Sequence, residues 1–139
     1  MMRWQVWVLT GLLGATAQAA EVTVKISGME SEQGQLLVAV YDKADSFLDS
    51  KKALKSLTVT PAEAKVGFSI ASLSDGAYAI AVIHDENGNG ELDTNFIGIP
   101  KEPIGTSNNV KSRFGPPSFK DARFELKGSQ SLDIGLNRF

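Results

Sequence analysis

The sequence contains no cysteine and only one histidine among its 139 residues. The first absence removes disulfides, thiol nucleophiles and cysteine-ligated zinc, so any fold must rest on its apolar core. The second leaves a single imidazole, His84, for acid–base work near neutral pH. Tryptophan occurs only at positions 4 and 7. Beyond residue 20 no apolar run approaches the roughly 20 residues that a membrane-spanning helix needs, so no stable membrane insertion is expected. Charge is nearly balanced, 14 Lys and Arg against 16 Asp and Glu for a net of −2, which supplies no field to draw in phosphate backbones and disfavours nucleic acid. A Gly-X-Ser-X-Gly elbow, a His-Glu-X-X-His metal helix, a phosphate loop and an Asn-X-Ser/Thr sequon are all missing.

What is present begins with a leader. Arg3 precedes a mostly apolar stretch from Trp4 to Ala15, and Ala17-Gln18-Ala19 supplies the small residues of a signal-peptidase site. Gln5, Thr10, Gly11 and Gly14 break the stretch, which is too short for an anchor. Residues 1–19 therefore read as a cleaved export signal and 20–139 as one domain, periplasmic or secreted. Losing Arg3 takes the net charge from −2 to −3.

The two-residue alternation of a half-buried strand recurs along that domain. It is seen in Val22-Val24-Ile26, in Leu57-Thr58-Val59-Thr60, in Val66 to Ile70, and most clearly in Tyr78-Ile80-Val82 opposite Ala77-Ala79-Ala81. Leu36 to Tyr41 is apolar on both faces, as a central strand is. Ala122 to Leu126 and Ser131 to Leu136 complete about seven strands, with a short irregular helix possible between Lys43 and Ser56. The expected fold is all-β: a single antiparallel β-sandwich, an immunoglobulin-like or transthyretin-like Greek key, with one long loop region. A small closed barrel is the alternative. An outer-membrane barrel ending on Phe139 fails on phase, because Leu132, Ile134 and Leu136 fall on the other face. Tyr78, close behind the Asp75-Gly76 turn, also fits a tyrosine corner.

From His84 to Pro117 the chain is rich in Gly, Asn and Pro, so this is the long loop region. Within it, Asp85, Asn87, Asn89 and Asp93 occupy positions one, three, five and nine of a calcium-type loop, with the Glu91 carbonyl at seven and Gly90 at six. Alternate oxygens at this spacing can curl around a hard cation, and glycine permits the bend. Position twelve is Phe96, where an EF-hand carries a bidentate Glu; Glu102 or Asp121 could complete the shell. The other reading makes Asn87-Gly88 and Asn89-Gly90 plain turn dipeptides that need no metal. His84 falls by parity on the buried face of its strand, away from Asp85 beside it. Lys111 to Phe124 interleaves cations with aromatics, and Ser107-Asn108-Asn109 offers side-chain amides; both fit structural roles.

Taken together, Leu73 to Val82, His84 to Asn95, Gly98 to Pro103, Ser107-Asn108-Asn109 and Gly115 to Phe119 resemble the exported bacterial proteins grouped as domain-of-unknown-function family 2141. The resemblance covers nearly the whole expected domain and implies an export signal, one β-domain and no assigned activity. The resulting expectation is a non-catalytic exported module in which Ca2+, held by Asp85, Asn87, Asn89, Glu91 and Asp93, orders the loop region for contact with an extracytoplasmic protein or glycan. A metal-free structural or adhesion module, and a hydrolase using His84, are the alternatives.

Overall fold

The computed structural model describes residues 20–97, 99–111 and 115–138. The leader, Phe139, and the Arg113-Phe114 part of the cation–aromatic stretch lie outside the described residues. Among the described residues eight strands form two sheets: β1 Ala20–Ser27, β2 Gln35–Tyr41, β3 Lys55–Val59, β4 Phe68–Leu73, β5 Gly76–Asp85, β6 Ile104–Thr106, β7 Phe124–Leu126 and β8 Gln130–Gly135. The first sheet runs β4-β1-β8. The second runs β3-β2-β5-β6, with β7 pairing the start of β5. The chain crosses between the sheets after β1, β3, β4 and β7, so each inner face is assembled from distant segments.

The alternation seen in the sequence becomes the core. Val22, Val24 and Ile26 of β1, with Ile70 and Ile134, close against Leu36, Val38 and Val40 of β2 and Tyr78, Ile80 and Val82 of β5. This apolar interior between two sheets defines a sandwich. The Tyr78 hydroxyl donates to the Ser74 carbonyl at 2.6 Å, four residues back, which is the tyrosine-corner bond.

Three local features differ from the sequence reading. Antiparallel pairing holds in every strand ladder but one: β1 and β8 run parallel, with Val22 opposite Gln130 and Ser27 opposite Gly135. The alternation of a strand reports which face is buried and is blind to the direction of its neighbour. Second, Ile104–Thr106 is a strand inside the region expected to be loop. Third, Pro61–Val66 is α1, not a turn leading into a strand. The signal lies in Thr60-Pro61-Ala62-Glu63: Thr60 accepts from the Glu63 amide while the Glu63 carboxylate accepts from the Thr60 amide, a capping box with proline at the first helical position. Thr60→Ala is expected to lower stability by about 1 kcal/mol in urea titration. Between Lys43 and Ser56 the possible helix is reduced to two 3-10 turns, Ala44–Ser46 and Ser50–Lys52.

Candidate functional site

The end of β5 places the loop. Gln35 of β2 stands opposite Asp85, and Leu36 opposite His84. Parity sends His84 into the core and Asp85 to the other face, and both side chains are fully buried. The His84 Nε2 lies 2.8 Å from the Gln33 carbonyl, and Nδ1 has no partner among the described residues. The ring is on the same face of β5 as Ile80 and Val82, and no serine hydroxyl is bonded to it among the described residues.

Asp85 acts as the hub of the loop. Its carboxylate accepts from the Gln35 side-chain amide at 2.9 Å, the Gly90 amide at 2.7 Å and the Asn89 amide at 3.2 Å. Burial works to raise its pKa. The bonds from Gln35 and the loop amides outweigh that and hold the group below its ordinary value of 3.8. Asn87 and Asn89 each form a turn with the amide two residues ahead. Their side-chain nitrogens both donate into the Asp93 carboxylate, at 2.6 and 2.8 Å. The structure thus brings Asp85, Asn87, Asn89 and Asp93 into one nest.

Further contributors come from outside the motif. Glu102, buried, accepts from the Glu86 amide at 2.9 Å and the Asp93 amide at 3.1 Å, so one carboxylate ties the two ends of the loop together. Of the two completing carboxylates weighed from the sequence, Glu102 is therefore at the loop. Asp121 lies in the short helix α2, Phe119–Ala122, where its carbonyl accepts from Asn108. Glu86 receives Ser31 at 2.9 Å and Arg138 at 2.7 Å. Burial pushes the Glu86 pKa up, yet the Arg138 and Ser31 bonds and the Arg138 charge bring it below the usual range. Neither Gln35 nor Arg138 stands near the loop in sequence, so only folding reveals them.

An open cleft of about 450 Å³ is lined by Glu86, Asn87, Asp93, Thr94, Lys101 and Glu102. No group of three or more Asp, Glu, His or Cys side chains converges to share an ion among the described residues. Asp85, Asn89 and Glu91 do not line this cleft; an ion held by the loop itself would have two carboxylates, Asp85 and Asp93, with neutral oxygens from Asn87, Asn89 and the Glu91 carbonyl. The donor chemistry suits a hard cation bound weakly.

The described remainder of the supposed loop is folded. Lys101 donates to the Asp93 carbonyl, Asn95 to Ile99, and Thr94 bridges Pro100, forming a small hairpin whose tip carries Phe96, 98% exposed. Ser107-Asn108-Asn109 rivets elements together. Ser107 Oγ accepts from Ile80 and donates to Ala122, Asn108 donates to Asp121 and Arg123, and Asn109 bonds Asp133 and Gly135. Within the described part of the cation–aromatic stretch, Phe119 stacks edge-on against Phe47, Phe124 tilts against Tyr78, and Arg123 pairs with Glu125. These are packing roles, as the sequence suggested.

Fold and site together define a β-sandwich domain with an acidic, amide-rich loop ordered at one end of its central strand. The chain belongs to the bacterial family described as uncharacterized protein conserved in bacteria (DUF2141), whose model matches residues 24–133. No curated protein and no solved structure matches the chain.

Proposed function

We propose that this protein is an exported, non-catalytic module of the periplasm or medium in which residues 85–93 hold Ca2+ weakly and so order the 94–100 hairpin for contact with a protein or glycan partner. The observation that carries this reading is the convergence of the Asn87 and Asn89 amides on the Asp93 carboxylate, above an Asp85 already turned inward. An amide's oxygen and nitrogen are nearly equal in shape. Half a turn of each amide would present two oxygens beside Asp93, at the expense of the bonds that Asn89 and Glu91 amides now make to them. Each such bond is worth about 1 kcal/mol net, which makes for modest affinity. The hairpin tip, with Phe96 and Ile97 exposed, supports a contact role, and the leader at 1–19 supports export.

With a dissociation constant of about 10⁻³ M, the weak end of extracellular sites, 10 mM Ca2+ would add about 1.4 kcal/mol. That corresponds to a rise of about 4–8 °C in Tm. Calorimetry with calcium and then with chelator is expected to show this rise and its reversal. Asp93→Asn, at a half-exposed position, is expected to abolish the response while leaving the protein folded. A calcium-independent Tm would reject the reading.

One observation favours a metal-free connector instead: every amide and carboxylate of the nest already has a hydrogen-bond partner within the loop or its neighbours. Under that reading Asp93→Asn costs the same with calcium as with chelator.

A further inference from the structure

Register across the second sheet creates a feature that no segment shows alone. Ser56 pairs with Ala39, Ala39 with Ala81, and Ala81 with Thr106, so four small side chains form one row on the outer face. The next row holds Thr58, Leu37, Ile83 and Ile104. A row of small residues beside a row of branched ones makes a trough that crosses the strands. Four strands at the usual spacing make it about 14 Å long, the length of an extended alkyl chain of about a dozen carbons. The trough floors a groove of about 1200 Å³, walled by Ile97, Ile99, Pro116 and Pro117.

Two further observations specify an occupant. Glu91 is the only charged side chain lining the groove among the described residues, so the lining offers no cation to an anionic head, and the trough that floors it is uncharged, which suits a neutral ligand. At the β6 end, Thr106 is 4% exposed and its hydroxyl has no hydrogen-bond partner among the described residues. Buried polar atoms are almost always partnered; a ligand head at this end supplies what is missing. A peptide adding as a strand would join the β3 edge and leave the trough empty, because the trough lies on the face over β2 and β5, which are already paired on both sides.

We propose that the outer face of the five-stranded sheet binds a neutral single-chain amphiphile, its alkyl chain in the Ser56-Ala39-Ala81-Thr106 trough and its uncharged head hydrogen-bonded to Thr106. The trough itself holds none of the residues assigned to calcium, although Gly90, Glu91 and Leu92 of that loop and Ile97 and Ile99 of the hairpin form one wall of the groove.

The test uses the neutral fluorophore N-phenyl-1-naphthylamine as probe and 1-dodecanol as competitor. Saturable one-to-one binding, displaced by dodecanol, is expected. Ala81→Trp and Ala39→Phe fill the trough and should each weaken probe binding at least about 10-fold, the energy of excluding a few buried methylenes. Circular dichroism confirms that each variant is folded. Thr106→Val should weaken dodecanol about 3- to 10-fold, the worth of one neutral hydrogen bond, and leave the probe unaffected. Should both filling variants unfold, NOEs from dodecanol methylenes to the Ala39 and Ala81 methyls of the unaltered protein decide the case. Absence of saturable binding, of those NOEs, or of any effect from the filling variants overturns the proposal. Laurate competing as well as dodecanol overturns the neutral head. A dimer that Ala81→Trp dissociates assigns the face to a second copy and overturns the ligand.

Discussion

Asp85→Ala is expected to lower the free energy of unfolding by about 3 kcal/mol, a large share of the 5–15 kcal/mol typical of a domain. The substitution strands three donors at once, the Gln35 side chain and the amides of Asn89 and Gly90. Asp85→Asn keeps the shape but turns one acceptor into a donor facing another donor, so it should cost about half as much. The effect carries a pH signature. The folded Asp85 titrates below its ordinary value of 3.8. Its stabilisation is therefore complete above the value it has when unfolded, and is lost as pH falls through the folded value. Glu86 is displaced in the same direction and adds to the loss. Urea titrations should show the gap between the native chain and Asp85→Asn at full size at pH 7 and narrowing below about pH 4. An equal gap at pH 7 and pH 2.5 would mean that the ionised form is not what the loop amides hold.

Gly34→Ala is expected to be at least as severe, about 3–5 kcal/mol, for a different reason. Gly34 has a φ of +71°, and a Cβ there would stand 2.0 Å from the Asp85 carbonyl oxygen and 2.8 Å from the Glu86 Cα. Both are backbone atoms, so the start of β2 and the start of the loop would have to separate. Gly88 provides the control. Its φ is +70°, yet nothing lies within 4 Å of the corresponding position, so Gly88→Ala should cost only about 1–2 kcal/mol for the left-handed conformation. Chemical denaturation of the two variants side by side separates contact from conformational preference; equal losses would remove the contact argument.

Much of the fold was legible from periodicity. Alternation in β1 and β5 predicted which residues face the core, including His84 buried and Asp85 turned away. The turn before Tyr78 pointed to a tyrosine corner, and the structure supplies its partner, the Ser74 carbonyl. The short helix α1 was also encoded, in Thr60 and Glu63, but was overshadowed by the strand-like Val66-Gly67-Phe68 that follows. Strand β6 was not legible: three residues, one of them glycine, cannot display a period. Gly105 is there because a side chain would meet the Gly135 carbonyl at 2.5 Å, a constraint imposed by β8.

The same division runs through the site. The spacing of Asp85, Asn87, Asn89 and Asp93 was visible because a loop's turns are local, each side chain bonding within a few residues of itself. Gln35 and Arg138 were not, since each reaches the loop from another part of the chain, and Glu102 was visible only as one of two carboxylates between which sequence could not choose. By itself the sequence determined the all-β class, the buried faces and the inward curl of one loop, for these follow from local stereochemistry and the two-residue period. Tertiary structure alone decided that β1 lies parallel to β8, that Glu102 clasps the loop, and that four small residues on four strands line up into a trough. Strand order and register are set by the packing of whole sheets, and no single segment carries that information.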